Sequence, residues 1–186
     1  MAQKKLKSLP PDKALTAACG LFCPSCMVYI ASRETPEHRE KIAQAMGLPA
    51  ETMYCDGCRS NRRYVYCNTC TMIACVVKKG VDFCWQCSEY PCGELKKYQA
   101  AAPHRLELWE AQSRIKKIGW AKWFEEMLEH YTCGKCATIN SAYNLACRKC
   151  GAIPGSEYAC LHQTEIADFI SKQRKESDES MEPKPL

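Results

Sequence analysis

The sequence predicts a small, α-rich, metal-stabilised protein, and three observations predict it. Sixteen cysteines fall in 186 residues, a cysteine-free central stretch repeats its apolar residues with a helical period, and two C-x2-C pairs near the C-terminus are spaced as a zinc ribbon. A chain of this length allows one compact domain or two small ones, and two small metal-stapled modules joined by a helical connector fit the cysteine distribution better.

At this density the cysteines are either a disulfide framework or a set of metal ligands, and the compartment decides between them. Lysines near the N-terminus are followed by Pro10-Pro11-Asp12, where a secretion signal would need an apolar run. No stretch reaches the roughly 18 apolar residues of a membrane span. The expectation is a cytoplasmic protein with no membrane partner, whose thiols stay reduced and free to bind metal. The formal net charge of +5 would suit nucleic-acid contact. A divalent ion held by four thiolates, however, carries about −2, so the loaded protein moves towards neutral or acidic.

Composition divides the chain into a flexible lead at 1–13, a cysteine-rich metal-binding module at 14–93, an amphipathic helical connector at 94–131, a zinc ribbon with a short helix at 132–172 and a disordered tail at 173–186. Within the first module Thr35-Pro36 reads as a helix start, with threonine as N-cap and proline at the first helical position, and Gly47-Leu48-Pro49 as its stop. From Cys55 to Cys92 the chain is expected to form loops and turns fastened by metal. In the connector Trp120, Trp123, Phe124, Met127, Leu128 and Tyr131 fall on one helical face, and Gly119 separates this helix from the one before it. That face is read as a packing surface. The tail is poor in apolar residues.

The segment Cys133-Gly-Lys-Cys136 with Cys147-Arg-Lys-Cys150-Gly151 is the most specific motif. Each C-x2-C turn presents two sulfurs, two turns complete a tetrahedron for zinc, and the closed shell leaves no position for a substrate. Between the turns, residues 137–146 have the β-branched and aromatic content of a short β-hairpin. Thiol-disulfide exchange is the weaker alternative for two matched pairs.

Upstream, Cys19, Cys23 and Cys26 form a C-x3-C-x2-C triplet that can ligate three irons of a cubane iron–sulfur cluster, or zinc once a fourth ligand is supplied. A radical enzyme built on the same spacing needs a barrel for which this chain has no room. Cys55 and Cys58 follow, and then a repeat: C-x2-C-x4-C at Cys67, Cys70 and Cys75 recurs at Cys84, Cys87 and Cys92. These eleven thiols suffice for two four-thiolate sites and a three-thiolate site. His38 and His104 are candidates to complete the last, against the plainer reading of surface histidines. Arg59, Arg62 and Arg63, interleaved with Tyr64 and Tyr66, form a basic loop that can meet phosphates or offset thiolate charge. Cys160, near His162, reads as a buried free cysteine rather than a nucleophile.

The order Cys19-Gly-Leu-x-Cys23-x-x-Cys26, Cys55-Asp-Gly-Cys58-Arg59, Cys67-x-x-Cys70 with Cys75, and Cys84-x-x-Cys87-x-x-x-Pro91-Cys92 resembles an uncharacterised cysteine-rich family, a domain of unknown function common in anaerobic bacteria and archaea. The resemblance covers about Ala18 to Tyr98. Longer members are similar further on, at Pro103-His104-Arg105, Ile118-Gly119-x-x-x-Trp123 and a terminal zinc ribbon. It implies a metal-bound module in an anaerobic organism, and no reaction or catalytic residue. The sequence reading is therefore a zinc-binding, non-enzymatic binding or adaptor module with several zinc ions. The alternatives are an iron–sulfur redox protein with its cluster in 14–93, and a metal storage or delivery protein. A protein is the expected partner, with nucleic acid the weaker option.

Overall fold

The computed structural model describes residues 9–99 and 102–181. Among them are nine α-helices linked by 3-10 turns and irregular segments, with two isolated β-bridges in place of strands. Most of the expected lead, residues 1–8, lies outside the described residues. Leu9 packs on the core, and the Asp12 carboxylate caps a 3-10 turn at Lys13–Leu15 by accepting the Ala14 N–H at 2.8 Å.

Helix α1, Met27–Arg33, starts directly at the end of the first cysteine triplet, with Cys26 in its N-cap position. Helix α2, Pro36–Ala45, has the expected start: the Thr35 hydroxyl accepts the His38 N–H at 3.3 Å and Pro36 takes the first helical position. It stops before Gly47, which sits in the left-handed region at φ 64°. Beyond Cys55 the chain is more regular than loops and turns. Helices α3, Val65–Asn68, and α4, Thr71–Lys79, occupy that stretch. In α4 Met72, Ile73 and Val76 face inward, Lys78 and Lys79 sit in the last turn, and Gly80 supplies the left-handed cap. The apolar pattern is short and divided by cysteines, which hides its period in the sequence.

Helix α5, Gly93–Gln99, leads to the connector, formed by α6, Leu108–Ile118, and α7, Trp120–His130. Gly119 breaks the two at φ 82° and ψ 154°, and the Arg114 guanidinium clamps them together through the Glu126 carboxylate, Nε to Oε2 at 2.7 Å. Trp123, Phe124, Leu128 and Tyr131 are buried, and Trp120 and Met127 pack beside them. Phe22, from the first triplet, lies edge-on to Trp123 and Phe124 and stacks on Tyr131. Burial of each such side chain stabilises the fold by about 1.5–3 kcal/mol. One core cluster therefore takes Leu15, Phe22 and Phe83 from the cysteine-rich segment, the stripe of α7, and Ala142, Tyr158 and Ile166 from beyond it.

The β-hairpin expected between the C-terminal knuckles reduces to a single bridge from Thr132 to Ile139. Between the knuckles the chain bonds to itself in a turn instead of pairing as strands: the Ser141 N–H donates to Asn144 Oδ1 at 2.8 Å and the Asn144 N–H to Ser141 O at 3.0 Å. Helix α8, Glu157–Leu161, is capped by Ser156, and α9 runs from Gln163 to Met181. The latter corrects the boundary of the tail expected at 173–186. No glycine or proline interrupts residues 163–181, so a helix nucleated by buried Ile166 propagates through polar residues that tolerate it. Residues 182–186 lie outside the described residues.

Candidate metal centre

The two C-terminal knuckles have the same backbone geometry. The Cys133 N–H donates to Thr138 O at 2.9 Å and the Ala137 N–H to Cys133 O at 2.9 Å. In the second, the Cys147 N–H donates to Ala152 O at 2.8 Å and the Gly151 N–H to Cys147 O at 2.9 Å. Each turn closes through a left-handed residue one position after its second cysteine, Ala137 at φ 57° and Gly151 at φ 70°. Glycine adopts that conformation without cost and alanine does not.

The turns bring four sulfurs together. Cys133 Sγ lies 3.8 Å from Cys150 Sγ, Cys136 Sγ lies 3.5 Å from Cys147 Sγ, and all four fall within 4.8 Å of one another. Four ligands at a Zn–S distance of about 2.3 Å define a tetrahedron with edges of roughly 3.8 Å. The donor set and its spacing fit such an ion. The Thr138 hydroxyl is the leading influence that holds the Cys136 thiol down at about 6, so this ligand is ready to lose its proton. Between the knuckles buried Asn140 donates to Thr138 O at 3.1 Å and Gly155 O at 2.7 Å and accepts the Arg148 N–H at 3.0 Å, tying both turns to the segment after them.

The eleven upstream thiols are arranged differently. Among the described residues no group from the N-terminal segment has three ligand atoms mutually within 4.8 Å. Cys19, Cys23 and Cys26 wrap a 3-10 turn at Cys23–Ser25. The Cys55–Cys58 knuckle is pressed onto the chain before it: Gly57 has φ 112°, and a Cβ there would stand 2.5 Å from Ala14 O. The Gly57 N–H points at Cys55 Sγ at 3.4 Å.

Members of a C-x2-C pair here face different surroundings. Cys55 and Cys67 pack with Val28, Met53 and Tyr64, whereas Cys58 and Cys70 pack with Ala18, Ile73 and Val76. Burial, and then Cys26 and Cys55, push the Cys67 thiol up to about 12; burial, and then Cys92 and Cys75, push Cys84 up to about 12. Thiols crowded this way resist ionisation until a cation offsets the charge. Cys75, Cys84, Cys87 and Cys92 surround a separate small cavity.

The other singled-out residues have local partners. His38 pairs with Glu34 at 3.2 Å. His104 is half-buried rather than at the surface: its Nδ1 meets the Tyr143 hydroxyl at 2.6 Å and its Nε2 accepts from Arg105 Nε at 3.0 Å, so both ring nitrogens are engaged. Arg59 donates to Thr16 O at 3.0 Å and to Asp82 O, and lies over the Phe83 ring. Arg62 holds Asp56 through two bonds at 2.8 and 3.0 Å, and with Arg33 it lowers that carboxylate to about 2. Cys160 is exposed, correcting its expected burial, because Tyr158 and Ala159 take the inward positions of α8.

Three features besides Asn140 escaped the sequence. Gln112, fully buried on α6, accepts the Trp85 N–H at 2.8 Å and donates to Ala18 O at 3.1 Å, joining two cysteine loops to the connector. The Lys79 ammonium donates to Cys87 Sγ at 3.2 Å. His130, at the C-terminus of α7, places Nε2 3.0 Å from the Glu107 carboxylate and Nδ1 2.9 Å from that of Glu157, while His162 Nε2 reaches Glu107 at 2.8 Å. Burial alone would lower the His130 pKa, but the two carboxylates outweigh it and hold the imidazolium above its ordinary range. The i, i+3 or i+4 patterns that mark a helix face carry no signal for such tertiary polar contacts.

Fold and site together define a helical protein with a cysteine cluster compatible with metal binding. Residues 15–97 match the protein family described as "Protein of unknown function (DUF3795)", a match that spans the cysteine-rich segment and ends within α5. No curated protein and no solved structure matches the chain. Among the described residues no helix is long and apolar enough to cross a membrane.

Proposed function

We propose that this protein is a zinc-stapled, non-enzymatic binding module, with one zinc ion held by Cys133, Cys136, Cys147 and Cys150 and the N-terminal thiols serving as further metal ligands. The observation that carries the reading is the convergence of the four C-terminal sulfurs, two pairs at 3.5 and 3.8 Å and all within 4.8 Å, on two equivalent knuckles. A shell closed by four thiolates has no open coordination position, which makes it a scaffold rather than a reaction centre. The proposed partner is a protein. Of the three arginines that favoured nucleic acid, Arg59 donates to Thr16 O and the exposed Arg62 pairs with the Asp56 carboxylate, both partners lying within the module, and Arg63 has its Nε buried, whereas Tyr66, Val77 and Leu161 are large apolar side chains left facing outward.

Elemental analysis of the full chain purified without oxygen tests the metal assignment. The expected result is zinc in the wild type, with one equivalent lost in the Cys147→Ser, Cys150→Ser double variant. A wild type free of zinc, or zinc content unaltered by the double variant, contradicts it.

A further inference from the structure

Four free cysteines, one of them the exposed Cys75, meet between α4 and α5. Cys75, Cys84, Cys87 and Cys92 line a cavity of about 40 Å³, walled on its apolar side by Val76 and Leu95. They come from three separate pieces of backbone: Cys75 from α4, Cys84 and Cys87 from either end of a 3-10 turn, and Cys92 from the residue before α5. The cavity is the place where the second copy of the C-x2-C-x4-C repeat meets the last cysteine of the first.

Two donors point at a single sulfur there. Cys87 Sγ lies 3.2 Å from the Lys79 ammonium and 3.4 Å from the Glu89 N–H, and the Glu89 carboxylate holds Lys79 in place at 2.6 Å. A neutral thiol has little use for a cation and an N–H together, whereas a thiolate bound to metal is stabilised by both. The sulfurs are also spread differently from those of the ribbon. In the ribbon they close to the edge of a tetrahedron around one ion; among Cys75, Cys84, Cys87 and Cys92 no three lie mutually within 4.8 Å. Four thiolates that surround a space rather than a point suit a group with several metal atoms, in which bridging sulfides hold the cysteine ligands apart.

We propose that Cys75, Cys84, Cys87 and Cys92 are the four thiolate ligands of an iron–sulfur cluster seated in this cavity, with Lys79 as the residue that offsets its negative charge. This rests on the reading that the N-terminal thiols are metal ligands, and it assigns four of the eleven to one site. Lys79 is held beside the cluster's sulfur, so it favours the reduced, more negative state and raises the reduction potential.

The test uses the full chain, purified without oxygen and reconstituted with ferrous iron and sulfide, with iron, acid-labile sulfide and zinc measured together. The wild type is expected to carry iron and sulfide and to give an electron paramagnetic resonance signal after dithionite reduction. The Cys87→Ser, Cys92→Ser double variant is expected to lose one cluster's complement of iron and sulfide and its signal, with the ribbon zinc unchanged. Iron and sulfide unaltered by the double variant, or zinc lost in their place, overturns the cluster but leaves these thiols as metal ligands or shifts the ligands elsewhere in the module. A wild type with no metal beyond the ribbon overturns both the cluster and the wider reading. Lys79→Met keeps every ligand, so it tests the site without the risk of unfolding it. It is expected to retain the iron and to lower the cluster's potential, and an unchanged potential removes Lys79 from the site.

Discussion

The two cysteine-bearing regions use the same local motif to different ends. In the ribbon both sulfurs of each C-x2-C turn point at one place, and four of them meet at zinc spacing. In the N-terminal segment Cys55 and Cys58, and likewise Cys67 and Cys70, are turned into different packing clusters. The difference lies in what surrounds the turn. The ribbon knuckles are bonded to their own following residues and so keep their geometry to themselves. The Cys55 knuckle is instead pressed against Ala14, and its neighbour Arg59 is tied to Thr16 and Asp82. A C-x2-C motif therefore defines a turn, and tertiary contacts decide which sulfurs share a metal.

The connector that both regions pack against supplies the largest expected effect short of metal loss. Trp123→Ala removes a buried aromatic that touches the first triplet through Phe22, and is expected to destabilise the protein by about 3–5 kcal/mol in denaturant melts. Equal loss of amide protection in both cysteine regions would show that they share one core; loss confined to one would separate them.

Gln112→Ala acts on the N-terminal side alone. It leaves the Trp85 backbone N–H without its acceptor and takes from Ala18 O one of its two donors, the Cys84 N–H remaining, at a cost of about 1–3 kcal/mol by equilibrium unfolding. Ala137→Gly acts on the ribbon alone and in the opposite direction. It relieves a left-handed alanine and makes the first knuckle match the second, so a gain of about 1 kcal/mol in stability is expected. No gain would mean that the two knuckles are not equivalent.

The smallest effect is the pH dependence of the Glu107, His130, Glu157 and His162 network, which joins the start of α6 to α7 and α8. His130 is held above its ordinary pKa by Glu107 and Glu157 despite burial, so its contribution is complete below the ordinary histidine range and is lost as pH rises through the folded value. Glu107 has the opposite sign. Burial would raise it, but His130 and His162 lower it, so its contribution is present above the ordinary carboxylate range and is lost as pH falls through the folded value. In the metal-loaded protein, stability from this network should be greatest between the carboxylate and imidazole ranges. The decline towards alkaline pH should be weaker in His130→Gln, as followed by thermal melts.

How much was legible in the sequence follows from whether a feature is local. The α7 stripe from Trp120 to Tyr131, the Thr35-Pro36 helix start and the Gly119 break are set by periodicity and capping within a few residues, and each is present. The convergence of Cys133, Cys136, Cys147 and Cys150 is fixed by spacing in the same way. Helix α4 was hidden because its inward residues are few, and α9 extends through polar residues with no apolar pattern to mark it. Gln112, Asn140 and Lys79 were invisible for another reason: a buried amide or a lysine on a sulfur is defined by what folds onto it. The grouping of the N-terminal thiols belongs to that second class.

The central claim is that metal holds the cysteine-rich regions while the aromatic stripe holds the connector. Amide hydrogen exchange on the reduced full chain, before and after complete metal removal by a chelator, tests it most directly. Structural zinc sites are worth about 10 kcal/mol or more of apparent binding free energy. The account therefore predicts loss of protection from Cys55 to Cys92 and from Cys133 to Cys150, with α6 and α7 retaining more than either. Exchange unchanged throughout after metal removal would contradict it.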